Sequence, residues 1–127
     1  MNRRLLIVGV VWLAVPLFGC EEDRSKAEAG ATWLAEHRLF RPFGKIGEIS
    51  RVTAESAELI RMQVDIPDER HAEAIDAQSL MVQSMIAKYA CPGWGAAIWQ
   101  ILGKDIDLRV DLVSGGKTIA SGICKGP

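Results

Sequence analysis

The sequence predicts an α+β fold: a small two-layer domain in which an antiparallel sheet of two hairpins carries one long and one short helix on one face. Three observations predict it. Two stretches alternate apolar and polar residues with a period of two, Ile60-Met62-Val64-Ile66 and Ile106-Leu108-Val110-Leu112. Between them apolar residues recur at helical spacing. Stop signals at Cys91-Pro92-Gly93 and at Gly103 divide that middle region into a long and a short piece.

Each element has its own reason. Lys45 to Val52 reads as a weakly patterned strand, and the short polar run Thr53 to Ser56 suits a hairpin connection. Ala57 to Ile66 is the returning strand. Arg61, Gln63 and Asp65 alternate with its apolar residues, and Pro67 ends it. Asp68 to Ala90 is expected to be one long helix, with Asp68 capping its first amides and Glu69 at the positive end of its dipole. Ala72, Ile75, Val82, Ile86 and Tyr89 are its expected core stripe, widened by Met81 and Met85. Cys91-Pro92-Gly93 stops it, because proline disfavours helix at the preceding residue and glycine tolerates unusual backbone angles. Trp94 to Leu102 is expected to form the short helix, closed by Gly103. In the last hairpin Asp105, Asp107, Arg109 and Asp111 alternate with apolar residues. Ser114-Gly115-Gly116 turns the chain, and Lys117 to Ile123 returns.

The amino end has a different character. Asn2-Arg3-Arg4 precedes Leu5 to Gly19, which carry no charge, and the run closes on Leu17-Phe18-Gly19-Cys20 before Glu21-Glu22-Asp23-Arg24. This resembles a bacterial lipoprotein signal peptide with its lipobox; Phe18 is bulkier than the residue such boxes usually carry there. The run is shorter than the roughly 20 residues that span a bilayer as a helix. The resemblance implies cleavage before Cys20, a diacylglyceryl thioether on its sulfur, and a protein of the bacterial cell envelope that faces the periplasm on an acyl anchor. It also implies that Glu21, which is not the aspartate of inner-membrane retention, favours the outer membrane in a Gram-negative host. The expected organisation is a signal peptide at 1–19, lipidated Cys20 with a tether to 43, and the α+β domain at 44–127. The polar residues Glu21 to Gly30 suit a solvated tether. Ala31 to Phe40 is a candidate short helix, broken by Arg41-Pro42-Phe43-Gly44.

Of the 127 residues, 108 follow the signal peptide, enough for one small domain. Arg3 and Arg4 leave with the signal, so 13 basic residues face 16 acidic ones and the net charge becomes −3. No basic patch stands out, which argues against a nucleic-acid partner and against electrostatic docking on anionic lipid. With Cys20 lipidated, Cys91 and Cys124 remain. An oxidising compartment makes such a pair a disulfide.

Chemistry-bearing motifs are sparse. His71 stands among Glu69, Arg70 and Glu73 near the long helix start, and His37 follows Glu36; both read as surface histidines. Arg109 offsets the strand carboxylates Asp105, Asp107 and Asp111, whose spacing is not that of a calcium loop. Gly116-Lys117-Thr118 ends like a phosphate loop but lacks the earlier glycine and the following helix. No catalytic set, metal site or cofactor is expected. Trp94 and Trp99, five apart on the short helix, face different ways, and they are the candidate partner-binding residues with the strand Lys117 to Ile123. The expected role is a binding or accessory subunit of an envelope or secretion complex. The alternatives are a small periplasmic enzyme built on His71 and an inhibitor of a foreign hydrolase.

Overall fold

A computed structural model describes residues 23–37 and 46–127. The expected signal peptide, Cys20 and residues 38–45 lie outside the described residues. The elements in order are α1 (Ser25–Glu36), β1 (Glu48–Ser56), β2 (Leu59–Asp65), α2 (Glu69–Asp76), α3 (Leu80–Lys88), α4 (Ile98–Leu102), β3 (Asp107–Ser114) and β4 (Lys117–Cys124). This is an α+β domain with one four-stranded sheet in the order β1-β2-β3-β4.

The alternating strands do what their period dictates. Ile60, Met62 and Val64 of β2 and Leu108, Val110 and Leu112 of β3 are fully buried on one face. Both hairpins are antiparallel. The junction between them is not: β2 and β3 run parallel, with Ile60 beside Leu108 and Met62 beside Val110. The sheet is therefore mixed, which corrects the expected antiparallel arrangement. The cause is the length of the intervening chain, since three helices between β2 and β3 make the crossover that a parallel pair requires. At the second hairpin Gly115 and Gly116 take φ of 56° and 78°, the left-handed pair that a tight two-residue turn needs. The first hairpin turns at Ala57-Glu58, later than the expected Thr53 to Ser56, and Ser56 Oγ accepts the Glu58 N–H at 3.2 Å.

The expected long helix is two helices. Ser79 interrupts it by capping α3, its hydroxyl accepting the Val82 N–H at 3.3 Å. The Gln83 side chain donates to the Asp76 carbonyl at 3.0 Å, satisfying the end of α2. The break also changes part of the expected core stripe. In α2 the predicted pair Ala72 and Ile75 is buried, and α2 packs at the turn end of β4. In α3 Ile86 packs against the core as expected, but the rest of the inner face is small. Ala87 is buried, and a Cβ on Gly122 of β4 would lie 2.9 Å from the Ser84 carbonyl oxygen and 3.3 Å from Ala87 Cβ. Met81, Met85 and Tyr89, expected in the core, are exposed at 74%, 57% and 74%.

The expected tether is also corrected where the structure describes it. Ser25–Glu36 is a helix whose Ala27, Gly30, Ala31 and Leu34 are buried. It packs close because residue 30 has no side chain: a Cβ there would lie 2.6 Å from Leu102 Cδ2 and 2.9 Å from Ile60 Cδ1. Asp23 precedes it and accepts from Ser25 Oγ at 2.6 Å and Ser25 N at 3.0 Å. These bonds, the hydroxyl's first, hold the Asp23 carboxyl below its ordinary range. The packed unit thus takes in residues well before the expected boundary at 44.

The disulfide joins Cys91, just past α3, to Cys124 at the end of β4, with Cα atoms 5.4 Å apart. It closes a separation of 33 residues. Among the described residues no helix is long and apolar enough to cross a membrane.

Candidate binding surfaces

Trp94 and Trp99 end in opposite environments, but not through helical spacing: α4 begins at Ile98 rather than at the expected Trp94, which lies in the turn before it. Trp99 is 8% exposed and packs in the core of α4. Its indole N–H donates to the Gly93 carbonyl at 2.9 Å, and a Cβ on Gly126 would meet its ring at 2.8 Å. Trp99 is therefore a buried support for the Gly93-Trp94 turn rather than a surface contact, which corrects its place among the candidate partner-binding residues. Trp94 itself is 72% exposed and flanked by Gly93 and Gly95. A large apolar ring held in water by a pinned turn is the geometry of an interaction anchor.

The same turn walls an apolar cleft of about 300 Å³. Trp33 and Leu34 of α1 and His37 just past it form one side, Ile49 and Met62 the floor, and Pro92, Gly93, Ala96 and Ala97 the other side. The His37 ring stacks on Trp33 with centroids 4.1 Å apart, and its Nδ1 lies 2.9 Å from the Trp33 carbonyl. The composition of the lining suits an apolar group rather than a charged ligand. Sequence reading missed this cleft because its walls come from α1 and from the Pro92 turn, which only folding brings together.

The face of the sheet away from the helices is polar. Asp111, 3% exposed, lies beneath two guanidinium groups. Arg109 Nε donates to Oδ1 at 2.9 Å, and Ser121 Oγ donates to the same oxygen at 2.6 Å. Arg61 Nε sits 3.0 Å from Oδ2, yet its N–H is not aimed at that oxygen, so the contact is one of charge rather than a directed hydrogen bond. Arg61 also reaches Glu55 at 3.6 Å. This network pairs a buried carboxylate and ties β2, β3 and β4 together, the arrangement that makes a buried charge tolerable. The sequence showed Asp111 and Arg109 on one face but not the burial.

The remaining candidates fall apart from one another. His71 is exposed on α2 with Nδ1 3.8 Å from Asp68 Oδ2. A neighbouring cleft of about 330 Å³ between α2 and the second hairpin is lined by Glu69, Glu73, Asp76 and Lys117, not by His71. The strand Lys117 to Ile123 is indeed at a sheet edge, since β4 is outermost. Among the described residues no group of three His, Cys, Asp or Glu side chains is placed to hold a metal ion.

No family model and no curated protein matches the chain. It is similar in fold to a Pseudomonas aeruginosa protein, provisionally described as secreted, whose crystal structure is known at 1.60 Å. The two share 14% identity, and the match has a TM-score of 0.56 over 80% of this chain and 89% of the other, so the likeness is one of fold.

Proposed function

We propose that this chain is an exported, lipid-anchored protein of the bacterial envelope that binds a partner protein through the apolar cleft beside Trp94. The observation that carries the binding role is Trp94 itself, exposed on a turn that Trp99 and the adjacent disulfide hold in place. Export is supported by the amino-terminal apolar run and by the Cys91–Cys124 bond, which belongs to oxidising compartments. The provisional description of the Pseudomonas neighbour as secreted agrees with it. The mechanism is positional. Acyl chains on Cys20 hold the domain at the membrane, raise its effective concentration there, and leave the cleft to dock an apolar side chain of another envelope protein. The reading rests on binding rather than on a reaction: the polar groups Asp111, Arg61, Arg109 and Ser121 are engaged with one another.

Two measurements test this reading. Intact mass of the mature protein from membranes should show a chain beginning at Cys20 with an acyl increment, lost in Cys20→Ala. An unmodified chain cut elsewhere overturns the anchor. A photoreactive phenylalanine analogue at Trp94 in the anchored protein should give a discrete protein adduct that the same analogue at exposed Glu73 does not give. Equal, diffuse labelling from both positions overturns the cleft as the docking site.

A further inference from the structure

The outer face of α3 is a second apolar surface, on another part of the molecule from the cleft. Met81, Met85 and Tyr89 stand at i, i+4 and i+8, so they form one stripe along the helix. Leu80, 83% exposed, extends it at the amino end. Helix α3 contains no acidic residue, and its one charge is Lys88. An apolar helix face with a tyrosine and a lysine at its carboxyl end has the composition of a helix lying in a membrane interface.

The placement of the anchor says what covers this face. Only Glu21 and Glu22 separate Cys20 from Asp23, so the first described residue is within about 11 Å of the lipid attachment point. The first turn of α1 lies where β3 begins: Lys26 Nζ is 3.2 Å from where a Cβ on Gly103 would be, and β3 starts at Asp107. The carboxyl end of α3 is at the same end of the sheet, since Cys91 is bonded to Cys124, which pairs with Leu108. The anchor and the carboxyl end of the stripe, at Tyr89, therefore lie at one end of the domain. We infer that the outer face of α3 rests on the bilayer to which Cys20 is attached. This rests on the anchor proposed above and adds to it a fixed orientation. The acyl chains supply the affinity, and Leu80, Met81, Met85 and Tyr89 choose which side of the domain meets the lipid, leaving the Trp33–Ala97 cleft, on the α1 side of the sheet, for the partner.

The methionines make the test direct. Past the signal peptide the chain has Met62, fully buried in β2, and Met81 and Met85, both on the stripe. Full mature lipoprotein with ¹³C-methyl methionine is placed in nanodiscs of phosphatidylethanolamine and phosphatidylglycerol containing a doxyl-labelled lipid. Met81 and Met85 methyl signals are expected to lose most of their intensity while Met62 keeps its own. Unchanged Met81 and Met85 signals on discs that retain the protein overturn the inference and leave the anchor standing. Protein that does not stay with the discs overturns the anchor and the inference together. Concentration-dependent shielding of Met81 and Met85 from a water-soluble relaxation agent, without lipid, assigns the face to a second copy of the chain and also overturns it.

Discussion

Helices α2 and α3 are the two halves of one predicted helix, and they hold to the sheet in different ways. Helix α2 has the sequence ERHAEAID, with charges on the outside and Ala72 and Ile75 buried. Helix α3 is LMVQSMIAK; it buries Ala87 against a glycine in β4 and packs Ile86 on the core, while Leu80, Met81 and Met85 face outward. Close approach is part of what holds α3: small residues on both sides bring the elements within contact distance, and dispersion over many short contacts adds to the packing of Ile86. What α3 lacks in buried volume the adjoining disulfide supplements.

The largest effect should therefore come from the covalent link. Cys91→Ala with Cys124→Ala removes the closure of the intervening loop and is expected to cost about 3–4 kcal/mol in denaturant unfolding. The loss should not be uniform. Hydrogen exchange of native protein should show greater loss of protection in α3 than in α2, because Cys91 follows α3 directly while α2 keeps Ile75 and Ala72. Equal loss in both helices would show that they share one mode of attachment.

Side-chain truncation tests the same contrast without touching the bond. Ile75→Ala should destabilise by roughly 2–3 kcal/mol, since it deletes buried methylenes from the contact of α2. Met85→Ser, equally apolar in the sequence pattern but facing out, should change stability by less than about 0.5 kcal/mol. Paired urea titrations check both. A Met85→Ser loss as large as that of Ile75→Ala would place the α3 stripe in the core after all.

These pairs also mark where the sequence could be read and where it could not. The strands were legible because one face of each is buried and the other polar, so that Ile60, Met62 and Val64 had no second way to point. The cysteine pair and the Gly115-Gly116 turn were legible because each residue type there serves a narrow range of structures. Helix α3 was not, because apolar residues surround it and periodicity cannot choose a face; the deciding partner, Gly122, is 34 or more residues away along the chain. The parallel pairing of β2 with β3 and the docking of α1 through Gly30 were hidden for the same reason, since both depend on contacts between distant segments. Of the candidate surface, exposed Trp94 was within the reading, but the cleft beside it joins α1 to the Pro92 turn and had no local signal.

The break between α2 and α3 gives a smaller effect. Ser79→Ala removes the hydroxyl that accepts the Val82 N–H and should cost about 1 kcal/mol. Alanine also favours helix, so the variant probes whether α2 and α3 can merge. A greater helical signal by circular dichroism with unchanged stability would mean that Ser79 alone separates the two; loss of stability without added helix would mean that the packing of each on β4 does so.

The least effect belongs to the start of α1, where the segment expected as a solvated tether becomes part of the fold. Asp23 is fully exposed, and its carboxyl is lowered from 3.8 first by the Ser25 hydroxyl and then by the Ser25 N–H. A depressed carboxylate contributes stability that is present above its unfolded value and lost as the pH falls through its folded one. The first turn of α1 should therefore be intact at neutral pH and loosen only below the ordinary carboxylate range. An NMR titration of the Asp23 side chain should give a midpoint below 3.8 in the native chain. In Ser25→Ala the midpoint should rise only part of the way, because the backbone N–H at 3.0 Å still donates. A midpoint already at the ordinary value would mean that the first turn of α1 is not formed at Ser25 and that the helix begins later.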